Sequence, residues 1–235
     1  MEPRHVILLA LATLVALAVA PARATLEHKY ARGEYAIIRD GLSPDGKKSL
    51  AAHGEGASGD DNFHVWLMAE PAHRRIAALD DIGSDNNLDT GADAYHASWS
   101  KDSREVAVAF RTSRHEVQLN LYGIEGRRAH LAAGPSLFKE VTGRDVGDHD
   151  DVRQSIPAIR WSGPRRFALR EYRVFMTTDP GFVRSLGAYG EVTDKLGDGS
   201  MLVKFKAEAD CMLMRHHGAR VVDLKVGKFA DPESW

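Results

Sequence analysis

Three stretches of this chain repeat one local grammar, and that recurrence restricts the possible folds more than any other feature. They are Leu42-Ser43-Pro44-Asp45-Gly46-Lys47-Lys48-Ser49-Leu50-Ala51-Ala52, Ser98-Trp99-Ser100-Lys101-Asp102-Ser103-Arg104-Glu105-Val106-Ala107-Val108 and Arg160-Trp161-Ser162-Gly163-Pro164-Arg165-Arg166-Phe167-Ala168-Leu169. Each ends a strand on a serine, turns tightly, passes basic residues and enters an apolar strand. Turn chemistry explains the residue types. Serine and aspartate side chains bond to nearby backbone N–H groups, proline presets φ, and glycine accepts a positive φ.

Further strands are predicted at Phe63–Met68, Val117–Tyr122, Val203–Lys206 and Val221–Val226, where apolar residues alternate or cluster in short runs. Helical periodicity is scarce. Pro135 to Val141 predicts one or two helical turns, with Ser136 as the cap. The second unit predicts a complete four-stranded antiparallel meander: Ala97–Ser100, Glu105–Phe110, Glu116–Gly123 and Arg127–Ala132.

Two of the turns resemble a known repeat. Ser43-Pro44-Asp45-Gly46-Lys47 before Leu50-Ala51, and Trp99-Ser100-Lys101-Asp102-Ser103 before Val106-Ala107-Val108, resemble the strand, S-x-D-G turn, strand motif of TolB-type, WD-like β-propellers. The resemblance spans residues 35–133 and 156–175; the third unit has Gly163-Pro164 where the aspartate would stand. It implies an all-β fold, a propeller-like array of four-stranded antiparallel meanders. It names neither a partner nor a reaction. Ser43 and Ser100 are 57 residues apart, and Ser100 and Ser162 are 62 apart. WD-type blades run about 40–45 residues, so the chain has room for three to four blades. These could form a small ring, an open arc, or an incomplete ring that a partner completes. If the ring closes, residues 176–235 must supply a degenerate last blade.

At the amino terminus, Arg4 precedes an uncharged apolar run from Val6 to Ala20, followed by Pro21-Ala22-Arg23-Ala24. The run is short of the roughly 20 residues that span a bilayer. Small residues at Ala22 and Ala24 suit signal peptidase. Residues 1–24 are therefore expected to be a cleaved signal peptide, with an uncleaved anchor as the alternative. One propeller-like domain is expected over 25–235, in the periplasm or outside the cell. No later apolar run is long enough to span a membrane. With 31 Lys and Arg against 33 Asp and Glu, the charge balance gives no nucleic-acid signal. Cys211 is the single cysteine, so no internal disulfide can form and packing must supply stability. Its run Cys211-Met212-Leu213-Met214 predicts a buried, inert thiol.

A meander assigns every loop to one end of the strands. Lys47-Lys48, Arg74-Arg75, Lys101, Arg104, Arg127-Arg128 and Arg165-Arg166 fall at the short-turn end. The longer loops, Gly54–Asn62, Asp80–Asp93, Thr112–His115 and Gly134–Gln154, fall at the other end and carry Asp60, Asp61, Asp80, Asp81, Asp85, Asp89, Asp93, Asp145, Asp148, Asp150 and Asp151. Loops beyond about 12 residues are usually functional or disordered. Asp85, Asp89, Asp93, Asp148, His149, Asp150 and Asp151 are therefore the candidate partner-binding residues, against the plainer alternative that charged loops are simply solvated. Asp85, Asn87 and Asp89 stand two apart, a spacing that suits oxygen ligation of Ca2+; glycine and glutamate are not where an EF-hand needs them. Gly41–Lys48 approaches a phosphate-binding loop but ends in Lys48 and precedes a strand. No G-x-S-x-G or H-E-x-x-H is present. Trp99 and Trp161 precede equivalent serines, which predicts packing between units rather than ligand stacking.

These features favour an exported, non-catalytic binding module for a protein or cell-envelope partner. The alternatives are a hydrolase-like enzyme with its site in the acidic loops, assisted by calcium or not, and a structural piece of an assembly. An exposed apolar sheet edge within 201–226 would mark the last.

Overall fold

A computed structural model describes residues 25–144, 153–214 and 218–232; residues 1–24 and Asp148–Asp151 lie outside the described residues. The chain is mostly β. Strands β1 (Ala36–Leu42), β2 (Lys48–Glu55), β3 (Asp61–Ala69) and β4 (Arg74–Gly83) form one antiparallel meander. Strands β5 (His96–Trp99), β6 (Glu105–Arg111), β7 (Val117–Glu125) and β8 (Arg128–Ala133) form the next. The second meander matches the strands expected from its sequence to within two residues. The charged turns accordingly fall at the ends that the alternation assigned them.

The two meanders share one sheet. β1 and β5 pair in parallel through Arg39 and His96, giving eight strands in the order β4-β3-β2-β1-β5-β6-β7-β8. The terminal strands β4 and β8 come alongside each other, so this sheet curls into a nearly closed, barrel-like form. Inside it pack Leu50, Phe63, Val65, Leu67, Val106, Val108, Phe110 and Tyr122.

After β8 come helix α1 (Leu137–Thr142), β9 (Arg153–Gln154), β10 (Ala158–Gly163) and β11 (Arg166–Thr177). Helix α2 (Pro180–Ser185), β12 (Gly190–Lys195), β13 (Met201–Met214) and β14 (Gly218–Val226) follow. Ser136 caps α1 as the sequence suggested, its hydroxyl accepting from the Lys139 N–H. β11 and β13 pair along the whole of β11, from Arg166 opposite Met212 to Thr177 opposite Met201. β10 and β9 share the far edge of β11; β12 and β14 share the far edge of β13. Residues beyond 176 therefore complete the sheet begun by β10. Among the described residues they build no separate sheet, so the last blade that a closed ring would have required there is not formed. β14 ends this sheet and exposes half of Val222, but Arg220, Asp223 and Lys225 stud the same strand. That edge is charged rather than apolar.

Strand β6 explains its own composition. Its side chains alternate between two cores: Val106, Val108 and Phe110 face the barrel-like interior, and Ala107 faces the second sheet. A strand buried on both faces needs a continuous apolar run, and Glu105-Val106-Ala107-Val108-Ala109-Phe110 is one apart from its first residue. The second core packs Leu121, Phe138, Phe167, Phe175, Phe182 and Phe205 with Cys211.

The repeated units are superposable in their bonding. Ser43 N donates to Lys48 O and Ser100 N to Glu105 O; Lys48 N donates to the Ser43 hydroxyl and Glu105 N to the Ser100 hydroxyl. The same hydroxyls lie 2.7 and 2.8 Å from Asp45 and Asp102. In the third unit Gly163 pairs directly with Arg166, leaving the two-residue turn Pro164-Arg165. Arg165 takes a φ of 57° there, the left-handed position that a type II turn requires at its second central residue. The tryptophans tie successive units together. The Trp99 indole N–H donates to Gly41 O at 3.1 Å, and that of Trp161 to Ser98 O at 2.9 Å. Each reaches the carbonyl two residues before the serine of the preceding unit. Leu42 occupies the same place in the first unit and is 55% exposed.

Candidate functional site: a cleft between the two sheets

The two sheets diverge at the short-turn end and leave an open cleft of about 1290 Å³. One wall is the top of β6, β7 and β8. There Glu105 stands opposite Gly123, and Gly123 opposite His130, so the three form one cross-strand row. The other wall is the Pro164-Arg165 turn with Leu213 and Met214, held together by the Leu213 N–H donating to Arg165 O at 2.8 Å. The cleft closes where β14 meets β8: a Cβ on Gly218 would lie 3.1 Å from Ala133 O. Asp102, Arg104 and Glu125 also line it.

Glu105 is the chemically unusual member. The Ser100 turn fixes its backbone, with both its N–H and its C=O bonded to Ser100. The side chain is only 9% exposed, and its nearest cation, Arg165 Nε, lies 4.0 Å from Oε1. Oε2 has no hydrogen-bond partner among the described residues. Burial pushes this carboxyl above the ordinary carboxylate range, opposed by the Ser100 hydroxyl and the Arg165 charge. Buried carboxylates are normally paired, so this one marks the cleft as a place built for something besides packing. Next to it, nothing lies within 4 Å of where a Gly123 Cβ would be. The row therefore has an empty centre between an acid and an imidazole.

The acidic residues singled out in the sequence do not converge. Asp85 and Asp93 are exposed, while Asp89 is buried. Both Asp89 carboxylate oxygens are engaged: Oδ2 accepts from Arg111 Nε at 2.8 Å, and Oδ1 accepts from Arg111 Nη2 and Leu26 N–H at 2.7 Å each. Asn87 turns inward, its amide donating to Asp89 O. Thr90 and Gly91 N–H groups donate to Leu26 O, and the Thr90 hydroxyl accepts from His28 N–H. This loop is a clamp on residues 26–28. Among the described residues no three His, Cys, Asp or Glu side chains gather as metal ligands. Asp148, His149, Asp150 and Asp151 fall outside the described residues.

A smaller hollow of about 160 Å³ lies where β1, β5 and β10 meet, beside Asp40 and His96. Burial and the Arg39 charge lower the His96 pKa. Its size suits a few waters rather than a substrate.

The sequence held one signal for the cleft. Where the second strand of each unit begins, the three units carry Lys48, Glu105 and Arg166. Glu105 is the acidic exception in a basic series. No protein-family model, curated protein sequence or solved structure matches the chain. Among the described residues no helix is long and apolar enough to cross a membrane.

Proposed function

We propose that the chain is an exported, non-catalytic, β-propeller-like binding protein that holds a protein or cell-envelope partner in the cleft between its sheets. The cleft itself carries this reading. It is larger than the 300–1,000 Å³ typical of small-molecule pockets, opens to solvent, and presents both charge signs beside apolar surface. The resemblance of residues 35–133 to TolB-type repeats supports a propeller-like ancestry, and the apolar leader supports export. The acidic loop is a weaker candidate, because Asp89 is committed to Arg111 and Leu26. Glu105 gives an enzymatic reading its best residue, as a buried carboxyl in the same row as His130.

The test uses Gly123→Trp. A Cβ there would meet no atom within 4 Å, so a substituted side chain projects into the cleft. Mature protein and variant are compared as baits against an envelope extract, with thermal melts as the folding control. A partner held by the wild type and released by the variant supports the cleft. A partner held equally by both, and lost instead in Asp85→Ala with Asp93→Ala, moves the interface to the long-loop end.

A further inference from the structure

We infer that the row Glu105–Gly123–His130 is a seat for one cationic group, the ammonium or guanidinium of a basic side chain on a peptide segment lying in the cleft. This rests on the cleft being the binding surface and specifies what enters it.

Three observations converge. First, Glu105 is more than nine-tenths buried, yet Oε2 has no donor among the described residues. An unmet buried carboxylate oxygen is stabilised most by a charge-assisted donor, and an arriving cation supplies one. Second, the protein's own cation stops short. Arg165 Nε is 4.0 Å from Oε1, outside hydrogen-bonding distance, and is itself anchored to the Pro164 turn. Third, the path to the carboxyl is open. Gly123, the neighbour of Glu105 across the ladder, leaves empty space where any other residue would project. A side chain at that point would cover Glu105.

A peptide fits better than a free small cation. The cleft volume of about 1290 Å³ greatly exceeds a lysine or arginine side chain. Arg104 and Arg165 on the lining would meet acidic or carbonyl groups flanking the basic residue. Leu131 and Met214 offer apolar surface to its stem.

The experiment titrates the mature protein with three capped pentapeptides of glycine and serine. Their central residue is lysine, Nε-acetyl-lysine or glutamate, and binding is followed by amide chemical shifts at pH 7. The lysine peptide should bind about tenfold or more tightly than the other two. Glu105→Gln should remove that preference while keeping the native spectrum and melting no lower than wild type, and Gly123→Trp should abolish binding of all three. Equal affinity for the lysine and acetyl-lysine peptides overturns the seat. So does a lysine preference that survives Glu105→Gln, or no binding by any peptide. If the seat fails while Gly123→Trp still releases the envelope partner, the cleft stands and only its chemistry is wrong. If the partner also stays bound to Gly123→Trp, the cleft itself is refuted.

Discussion

Replacing Asp89 by alanine separates a structural clamp from a cation loop. The Asp89 side chain is 1% exposed and accepts three hydrogen bonds, two from the Arg111 guanidinium and one from the Leu26 N–H. Removing one partner of a buried pair costs about 3–5 kcal/mol. Arg111 keeps 26% of its side chain in solvent and can rehydrate, which places the loss at the lower end, about 3 kcal/mol. For a domain of this size each kcal/mol moves Tm by roughly 2–4 °C, so the variant should melt roughly 6–12 °C lower. Asp85→Ala, at an exposed position, should stay within about 0.5 kcal/mol of wild type. The assay is calorimetric melting of the protein with EDTA and with millimolar calcium. The clamp predicts the same wild-type Tm in both. A calcium-dependent rise in Tm that Asp85→Ala and Asp89→Ala both erase would refute it and restore the cation loop.

Three further outcomes follow from the same structure. Trp161→Phe keeps an aromatic ring but loses the pyrrole ring with the N–H that Ser98 O accepts; chemical denaturation should show a loss of at least about 1–2 kcal/mol, and a neutral result would mean that the indole does not tie the units. Glu105→Gln should alter stability in a pH-dependent way. The folded carboxyl has a raised pKa, so its ionisation penalty is absent below the unfolded value of about 4.3, grows as pH rises past it, and is complete above the folded value. The variant should therefore match wild type near pH 4 and melt higher at pH 7; the reverse order would mean that Glu105 makes a stabilising bond when ionised. Burial pushes the Cys211 thiol up to about 12, so an aromatic disulfide reagent at pH 8 should label it only after unfolding, and rapid native labelling would contradict its place in the second core.

Much of the local structure was legible. The Ser-x-Asp turns, the strands of the second meander and the Ser136 cap depend on residues a few positions apart, so their chemistry can be recognised in sequence. The candidate site was not legible in the same way. The acidic loop drew attention through charge and length, yet its one buried member is held by Arg111, 22 residues away, a partner that spacing does not reveal. Glu105 looked like an ordinary strand-start residue beside Arg104. Its unusual state arises because Gly123 and the Pro164 turn come to face it, which depends on how the sheets pack.

The sequence alone determined a β-rich chain built from recurring serine turns, with basic short turns at one end of the strands and long acidic loops at the other. Period-two alternation and turn chemistry act within a few residues, and strand order then assigns each loop to an end. Only the tertiary structure decided that β1 and β5 fuse two meanders into one sheet, that residues beyond 176 complete the second sheet, and that the two sheets part over Glu105. Those outcomes depend on contacts between residues about 60 positions apart, such as Arg39 with His96 and Glu105 with Arg165. Burial, and with it the energy of a charged group, is set by what long-range packing brings near.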